Sequence, residues 1–186
     1  MDYVYHGSPV SGLTHLEPRR STHGKNWVYA TNIKAIAIIH SQKWSDYIFN
    51  ESINDSGQLE LTERLPNAFE EIYKGKTSYL YYLSATNFME GQTSFTPEVV
   101  SEQREEVIKC EVIEDTYKKL LEMERTGEVI LYRYPNRPAY IPSDVSDLIK
   151  KTKYFLENAI DKKGLVDYAI EKHPKLKDAL LPLLDK

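Results

Sequence analysis

The chain has few of the residues that anchor common catalytic and metal sites. Of its 186 residues only Cys110 is a cysteine, so no internal disulfide can form. Cys110 lies between Ile108 and Val112 in an apolar alternation, and we therefore expect a buried thiol rather than a nucleophile. The sequence contains no HExxH, no paired CxxC, no glycine-rich phosphate loop and no GxSxG, and its five histidines lack metal-ligand spacing. We expect no metal, and the common hydrolase, kinase and zinc-enzyme classes have no local support.

Long apolar runs are also missing. None approaches the roughly 20 residues of a membrane-spanning helix. The start, Met1-Asp2-Tyr3, lacks the basic and apolar regions of a signal peptide. We therefore expect a cytoplasmic protein with no membrane partner.

The net charge of −4 is unevenly distributed. Residues 150–186 contain nine lysines and six acidic residues, a net charge of +3, which leaves −7 for the first 149 residues. An acidic main body disfavours nucleic-acid binding through a broad basic face. The lysine-rich tail could contact phosphates weakly, but a solvated helix surface explains it as well.

The apolar patterns predict an α+β fold. Two strands are predicted within the first 31 residues, and the loop between them contains Arg20 and His23. Further strands are predicted over Thr77–Phe88, from Pro97, over Val107–Ile113 and over Glu128–Tyr134. Helices are predicted from Lys34 to about Ser41, from Asp115 to Arg125 with Gly127 ending it, and after Pro142, where Ser143 caps and Gly164 ends the element. Residues 44–65 show no regular pattern apart from a turn at 54–57.

Strands in the middle of the chain, with helices early and late, are typical of α+β proteins. We predict one such domain over residues 1–142. Residues 143–186 are predicted to form a helical extension packed on the same domain.

Polar side chains follow two predicted strands near the N-terminus. His6 precedes Gly7 and Ser8, where backbone can approach a ligand closely beside an imidazole. Tyr29 belongs to the second strand and precedes Thr31. A carboxylate at Glu98 or Glu102 completes a possible constellation, because both lie on the strand that begins near Pro97.

These blocks resemble the H-Y-E arrangement of the ADP-ribosyltransferase superfamily, the branch with the diphtheria-type toxins, the poly(ADP-ribose) polymerases and small bacterial relatives. The resemblance rests on Tyr5-His6-Gly7-Ser8, Val28-Tyr29-Ala30-Thr31 and Pro97-Glu98-Val99-Val100-Ser101, in that order. It implies a split, mostly antiparallel β-core with flanking helices and NAD bound between its halves. It favours Glu98 over Glu102, because the superfamily glutamate directly precedes the apolar strand residues.

The resemblance implies an NAD-dependent glycosyltransferase with NAD as substrate and no metal. A carboxylate stabilises the positive charge that develops on the ribose when the nicotinamide bond breaks, and it can accept a proton from the attacking group. The Tyr29 ring offers a face for stacking nicotinamide. His6 can hydrogen-bond a ribose hydroxyl, and the Gly7 backbone can pair with the nicotinamide amide.

Ser8 and Thr31 are candidate helpers, and Arg20 and His23 can reach the pyrophosphate of NAD. The acceptor, whether protein, nucleic acid or small molecule, cannot be read from the sequence. Two alternatives stay open. One is a non-catalytic module of the same fold that binds a nucleotide or a protein. The other is an RNA 2′-phosphotransferase, which the acidic main body disfavours.

Overall fold

The computed structural model describes residues 2–20 and 23–184, so the end residues of the predicted domain and extension lie outside it. The described residues form ten strands and six α-helices. The strands are β1 Tyr3–Ser8, β2 His15–Leu16, β3 Arg19–Arg20, β4 Asn26–Thr31, β5 Phe49–Ile53, β6 Leu59–Glu63, β7 Ser78–Ser84, β8 Glu98–Ser101, β9 Glu105–Ile113 and β10 Val129–Tyr132. The helices are α1 Lys34–Ile39, α2 Ala68–Tyr73, α3 Thr116–Thr126, α4 Asp147–Leu156, α5 Lys162–Lys172 and α6 Lys177–Leu180.

The larger sheet has seven strands in the order β3-β4-β1-β7-β9-β2, and β8 also pairs with β4. All of its pairings are antiparallel. β1 pairs with β7 over its whole length, but in the described residues it meets β4 only at Tyr5 and Thr31. The sheet is therefore weakly joined between β1 and β4. A mostly antiparallel sheet with helices between and after its strands confirms the predicted α+β class.

A second sheet of three strands has the order β10-β6-β5, with β10 parallel and β5 antiparallel to β6. The prediction of irregular structure over residues 44–65 is wrong, because both β5 and β6 lie there. All five residues of β6 are buried, so the strand shows no alternation. Its Glu63 side chain accepts hydrogen bonds from the backbone N–H groups of Phe69 and Tyr134, which satisfy a charge that normally marks an exposed segment.

Helix α1 packs between the two sheets, and its last five residues are all buried. It approaches β1 so closely that a Cβ at Gly7 would overlap the backbone carbonyl of Ala37. The helix begins at Lys34. The backbone N–H of the preceding Ile33 donates a hydrogen bond to the Thr31 hydroxyl. The predicted position of this helix is confirmed. α3 also lies where predicted, and it ends at Gly127, whose φ of 80° suits glycine.

The C-terminal segment is helical, but its predicted bounds are wrong. Ser146, not Ser143, precedes the first helix, and that helix ends at Leu156. Gly164 does not end an element: it lies in the first turn of α5, where its N–H donates to the Asp161 carboxylate. None of the helices in the described part of the chain combines the length and apolar character needed to cross a membrane.

Cys110 is exposed, and the prediction of a buried thiol is wrong. β2 pairs with β9 only at Glu105 and Glu106, so the rest of β9 forms the outer edge of the sheet. Its apolar alternation therefore lies at the rim, where 45% of Ile108 and 58% of Val112 are exposed.

Candidate functional site

Strands β4 and β8 bring three of the predicted residues to one face of the larger sheet. Thr31 lies directly opposite Glu98, and Tyr29 lies opposite Val100. Opposed residues of an antiparallel pair share a face, as do residues two apart on one strand. Tyr29, Thr31 and Glu98 are therefore on the same face, with Tyr29 and Glu98 as diagonal neighbours about 7–8 Å apart.

His23 covers the Tyr29 side chain. The two rings stack with centroids 5.8 Å apart and an interplanar angle of 27°, and Nδ1 of His23 lies 3.1 Å from the Tyr29 hydroxyl. Trp27 packs its ring edge against Tyr29 at 6.0 Å. Residue 23 was predicted to reach pyrophosphate, but its observed contacts are with the aromatic rings.

His6 spans the weak joint between β1 and β4. Its Nδ1 lies 2.8 Å from the backbone carbonyl of Tyr29, so this nitrogen carries the proton and donates. Burial lowers the pKa of His6, and the nearby Arg19 guanidinium lowers it further, whereas the bond to the carbonyl opposes the change. A neutral imidazole with Nδ1 protonated has Nε2 as a hydrogen-bond acceptor.

Glu98 is a half-buried carboxyl at the start of β8. Burial raises its pKa, and the nearby Thr93 hydroxyl opposes the rise. His23 and His40 also favour the charged form, whereas Glu51 disfavours it. Glu98 thus lies within electrostatic reach of two imidazoles and a second carboxylate.

His40 and Glu51 form a second acid–base pair beside this face. Nε2 of His40 lies 2.9 Å and 3.0 Å from the two carboxylate oxygens of Glu51. The imidazole stacks on Trp44 at 4.5 Å with an angle of 22°. Burial alone would lower the pKa of His40, but the Glu51 carboxylate outweighs it, helped by Glu98, and the pKa is raised.

Sequence reasoning did not single out this pair. An imidazole at the end of an otherwise apolar helix was the available signal for His40. No comparable signal existed for Glu51, because its strand was not predicted.

The remaining predicted residues have other contacts. Gly7 is explained by its packing against α1. The Ser8 hydroxyl accepts a hydrogen bond from the Val10 backbone at 3.1 Å. Arg20 lies opposite Asn26 and is exposed. The residue whose charge reaches His6 is its neighbour Arg19.

Glu102, the alternative acid, lies in the bend that follows β8 and not in the strand. It accepts a hydrogen bond from the Trp27 indole at 3.4 Å. It therefore lies beyond the Tyr29–Val100 pair, at the end of β8 away from Thr31. Glu98 is therefore the acid that lies near Thr31, His23 and His40.

Two surface cavities lie outside this region. One of about 540 Å³ is formed by the loop around residues 135–143, and one of about 590 Å³ lies between the end of β9 and the start of α3. Neither is lined by His6, Tyr29 or Glu98. Among residues 2–20 and 23–184, no group of three or more His, Cys, Asp or Glu side chains is arranged to hold a metal ion.

Comparison of the chain with protein-family models, with curated proteins and with solved structures found no significant match to any of them.

Proposed function

We propose that this protein binds NAD at the joint between β1 and β4, cleaves its nicotinamide–ribose bond and transfers ADP-ribose to an acceptor. The supporting observation is the placement of Glu98 on the same face as Tyr29. His6 follows Tyr5, which lies opposite Thr31, so alternation directs His6 to the other face, and it is joined to this region through its bond to the Tyr29 carbonyl. The proposal also draws on the resemblance of these three blocks to the H-Y-E ADP-ribosyltransferases.

Glu98 has the properties required of the acid in such a reaction. As the carbon–nitrogen bond breaks, its electron pair leaves with nicotinamide and positive charge develops on the ribose. A carboxylate beside that carbon stabilises the charge, most strongly where water is excluded. Because burial raises its pKa, Glu98 is also a better base than an exposed glutamate and can take the proton of the attacking acceptor.

His6 and Tyr29 would orient the substrate. With Nδ1 committed to the Tyr29 carbonyl, Nε2 of His6 is left to accept a hydrogen bond from a ribose hydroxyl. The Tyr29 ring supplies an aromatic face for the substrate. Because His23 stacks on this ring, the substrate must either share the ring with His23 or displace it. His40, stabilised as a cation by Glu51, would help keep Glu98 ionised.

The direct test is release of nicotinamide from NAD by the full chain, followed by mass spectrometry, with water or added protein as acceptor. We expect release from the wild type and a loss of about 100-fold or more in Glu98→Gln, because one electrostatic contact to the transition state is removed. Glu102→Gln is the matched control and should retain the wild-type rate.

Equal rates in the wild type and Glu98→Gln would contradict the assignment of Glu98. Binding of NAD without any release of nicotinamide would support the non-catalytic module instead.

A further inference from the structure

The outer edge of β9 is largely unpaired. β7 pairs with β9 along one edge from Lys109 to Ile113 and again at Val107, and Ile108 is the extra residue where the register shifts. On the other edge β2 reaches only Glu105 and Glu106, and the Val107 backbone N–H donates to Thr14 at 2.9 Å. From residue 108 to residue 113 no strand of the described chain covers this edge. Its backbone donors and acceptors are therefore available to another strand.

Two oppositely charged side chains lie beside each other on this strand. Lys109 lies over the Tyr82 ring with Nζ 4.8 Å from its centroid, and the Tyr82 hydroxyl donates to Glu111 at 2.8 Å. Both charges are thus held on the Tyr82 face of the sheet. Within the described part of the chain Lys109 makes no ion pair. The exposed Cys110 lies between them and faces the other way.

We propose that two copies of this chain associate through this edge, with their β9 strands antiparallel about a two-fold axis at Cys110. In this register Lys109 of each copy lies opposite Glu111 of the other. The two Cys110 residues face each other, and the exposed Val112 of each copy lies near the register shift at Ile108 of the other. Opposed residues on antiparallel strands are close enough for each of these pairs to interact.

The charge pattern selects this register over its neighbours. A symmetric antiparallel pair must place one residue opposite its own copy. With the axis at residue 109, two lysines would be opposed, and with the axis at residue 111, two glutamates would be opposed. Like charges directly opposite one another destabilise a strand pair. Of these three registers, only the one centred on Cys110 places opposite charges opposite each other.

The pairing is limited to about five residues by the chain itself. At one end Thr14 is bonded to Val107, and at the other the strand ends at Ile113. Two seven-stranded sheets would then form one continuous sheet. β7 and β1 separate β9 from β4, so the proposed NAD site stays accessible in the dimer. The dimer is therefore independent of the proposed function.

Charge exchange tests the register. The full chain in reducing buffer is examined by sedimentation velocity across a range of concentrations, and we expect a species of twice 21.6 kDa. Lys109→Glu and Glu111→Lys, each alone, oppose like charges and should raise the dimer dissociation constant about tenfold or more. The double exchange Lys109→Glu with Glu111→Lys restores opposite charges and should restore the dimer.

Lys153→Glu, an exposed change on α4, is the matched control and should leave the dimer unchanged, and circular dichroism confirms that each variant is folded. A wild-type monomer at every concentration, or a double exchange that stays monomeric while folded, would overturn the proposal. Open-ended larger assemblies would also overturn it, because a two-fold edge contact closes at two copies.

Oxidation tests the contact at Cys110. Opposed residues on antiparallel strands have Cα atoms about 4.5–5.5 Å apart, a separation that a disulfide can bridge. Diamide takes up the two electrons and two protons that two thiols lose on forming the bond. Under diamide, the wild type should give a covalent dimer within the concentration range where the dimer exists, and Glu111→Lys should give far less. Equal cross-linking in both would contradict the proposed register.

Discussion

At the scale of single residues, Glu98 lies where its charge is unfavourable to folding. Its pKa is raised by burial, so the folded chain binds the carboxyl proton more tightly than the unfolded chain does. The unfolding free energy contributed by this group is greatest at low pH and is lost as the pH rises through the raised pKa. Retention of a charge at such a position is typical of a functional group.

We therefore predict that Glu98→Gln is more stable to urea than the wild type at neutral pH, because the variant buries no charge there. The difference should shrink as the pH falls to the ordinary range of glutamate. Denaturation at a series of pH values measures it, with the exposed Glu90→Gln as a control expected to show no such difference. A Glu98→Gln variant that is less stable than wild type at neutral pH would contradict the burial argument.

His6, Tyr29 and Glu98 could be chosen from the sequence because each belongs to a short local pattern, although His6 and Tyr29 lie within β1 and β4 and only Glu98 lies at a strand end. His40 and Glu51 could not, since their contact joins residues eleven apart through a strand that had no apolar alternation. The wrong prediction of a buried Cys110 has a similar cause. Apolar alternation predicts a strand, but it does not tell whether the strand lies inside the sheet or at its outer edge.

At the scale of elements, the contact of α1 with β1 determines where the residues around His6 lie. A side chain at Gly7 would collide with the backbone of Ala37, so α1 would have to move away from the strand. We predict that Gly7→Ala lowers the unfolding free energy by about 1–3 kcal/mol, the usual cost of overpacking. Urea denaturation measures the loss, with the exposed Ser11→Ala as control. An unchanged midpoint in Gly7→Ala would show that the two elements are not closely packed.

Most of the helices, and most strands of the larger sheet, could be predicted because their apolar patterns are local. Helix ends also carry capping residues, such as Asp115 and Gly127 at the two ends of α3. In the second sheet β10 could be predicted, but β5 and β6 could not, because β6 contains two glutamates with hydrogen-bond partners distant in sequence. Gly164 misled the helix prediction, because the Asp161 cap allows a glycine in a first turn.

At the scale of the whole molecule, the C-terminal helices hold the segment that leads into β5. Tyr47 packs within the hydrophobic cluster of these helices and bonds Thr152 through its hydroxyl, and the His173 side chain bonds the Tyr47 carbonyl at 2.6 Å. Arg64, whose side chain is 1% exposed, pairs with Asp147 of α4 at 2.6 Å. A helical tail could be predicted from composition, but these contacts span 83 residues or more of sequence and have no local signal.

We predict that Asp147→Asn lowers the unfolding free energy by about 2–3 kcal/mol, because it leaves the buried Arg64 guanidinium without its carboxylate. Thermal and urea denaturation measure the loss. Asp167→Asn, which breaks an exposed ion pair with Lys163, is the control and should change the value by at most about 0.5 kcal/mol. Equal effects of the two substitutions would show that the tail is not held by this pair.

Calorimetric titration of NAD tests most directly whether the joint between β1 and β4 is a dinucleotide site. The Glu98→Gln variant is used because it is expected to bind NAD without cleaving it. We predict saturable binding at one site per chain. Adding His6→Ala should weaken it about tenfold, the value of one lost hydrogen bond, whereas adding His15→Ala should not. Absence of binding, or equal affinity with and without His6, would contradict the account.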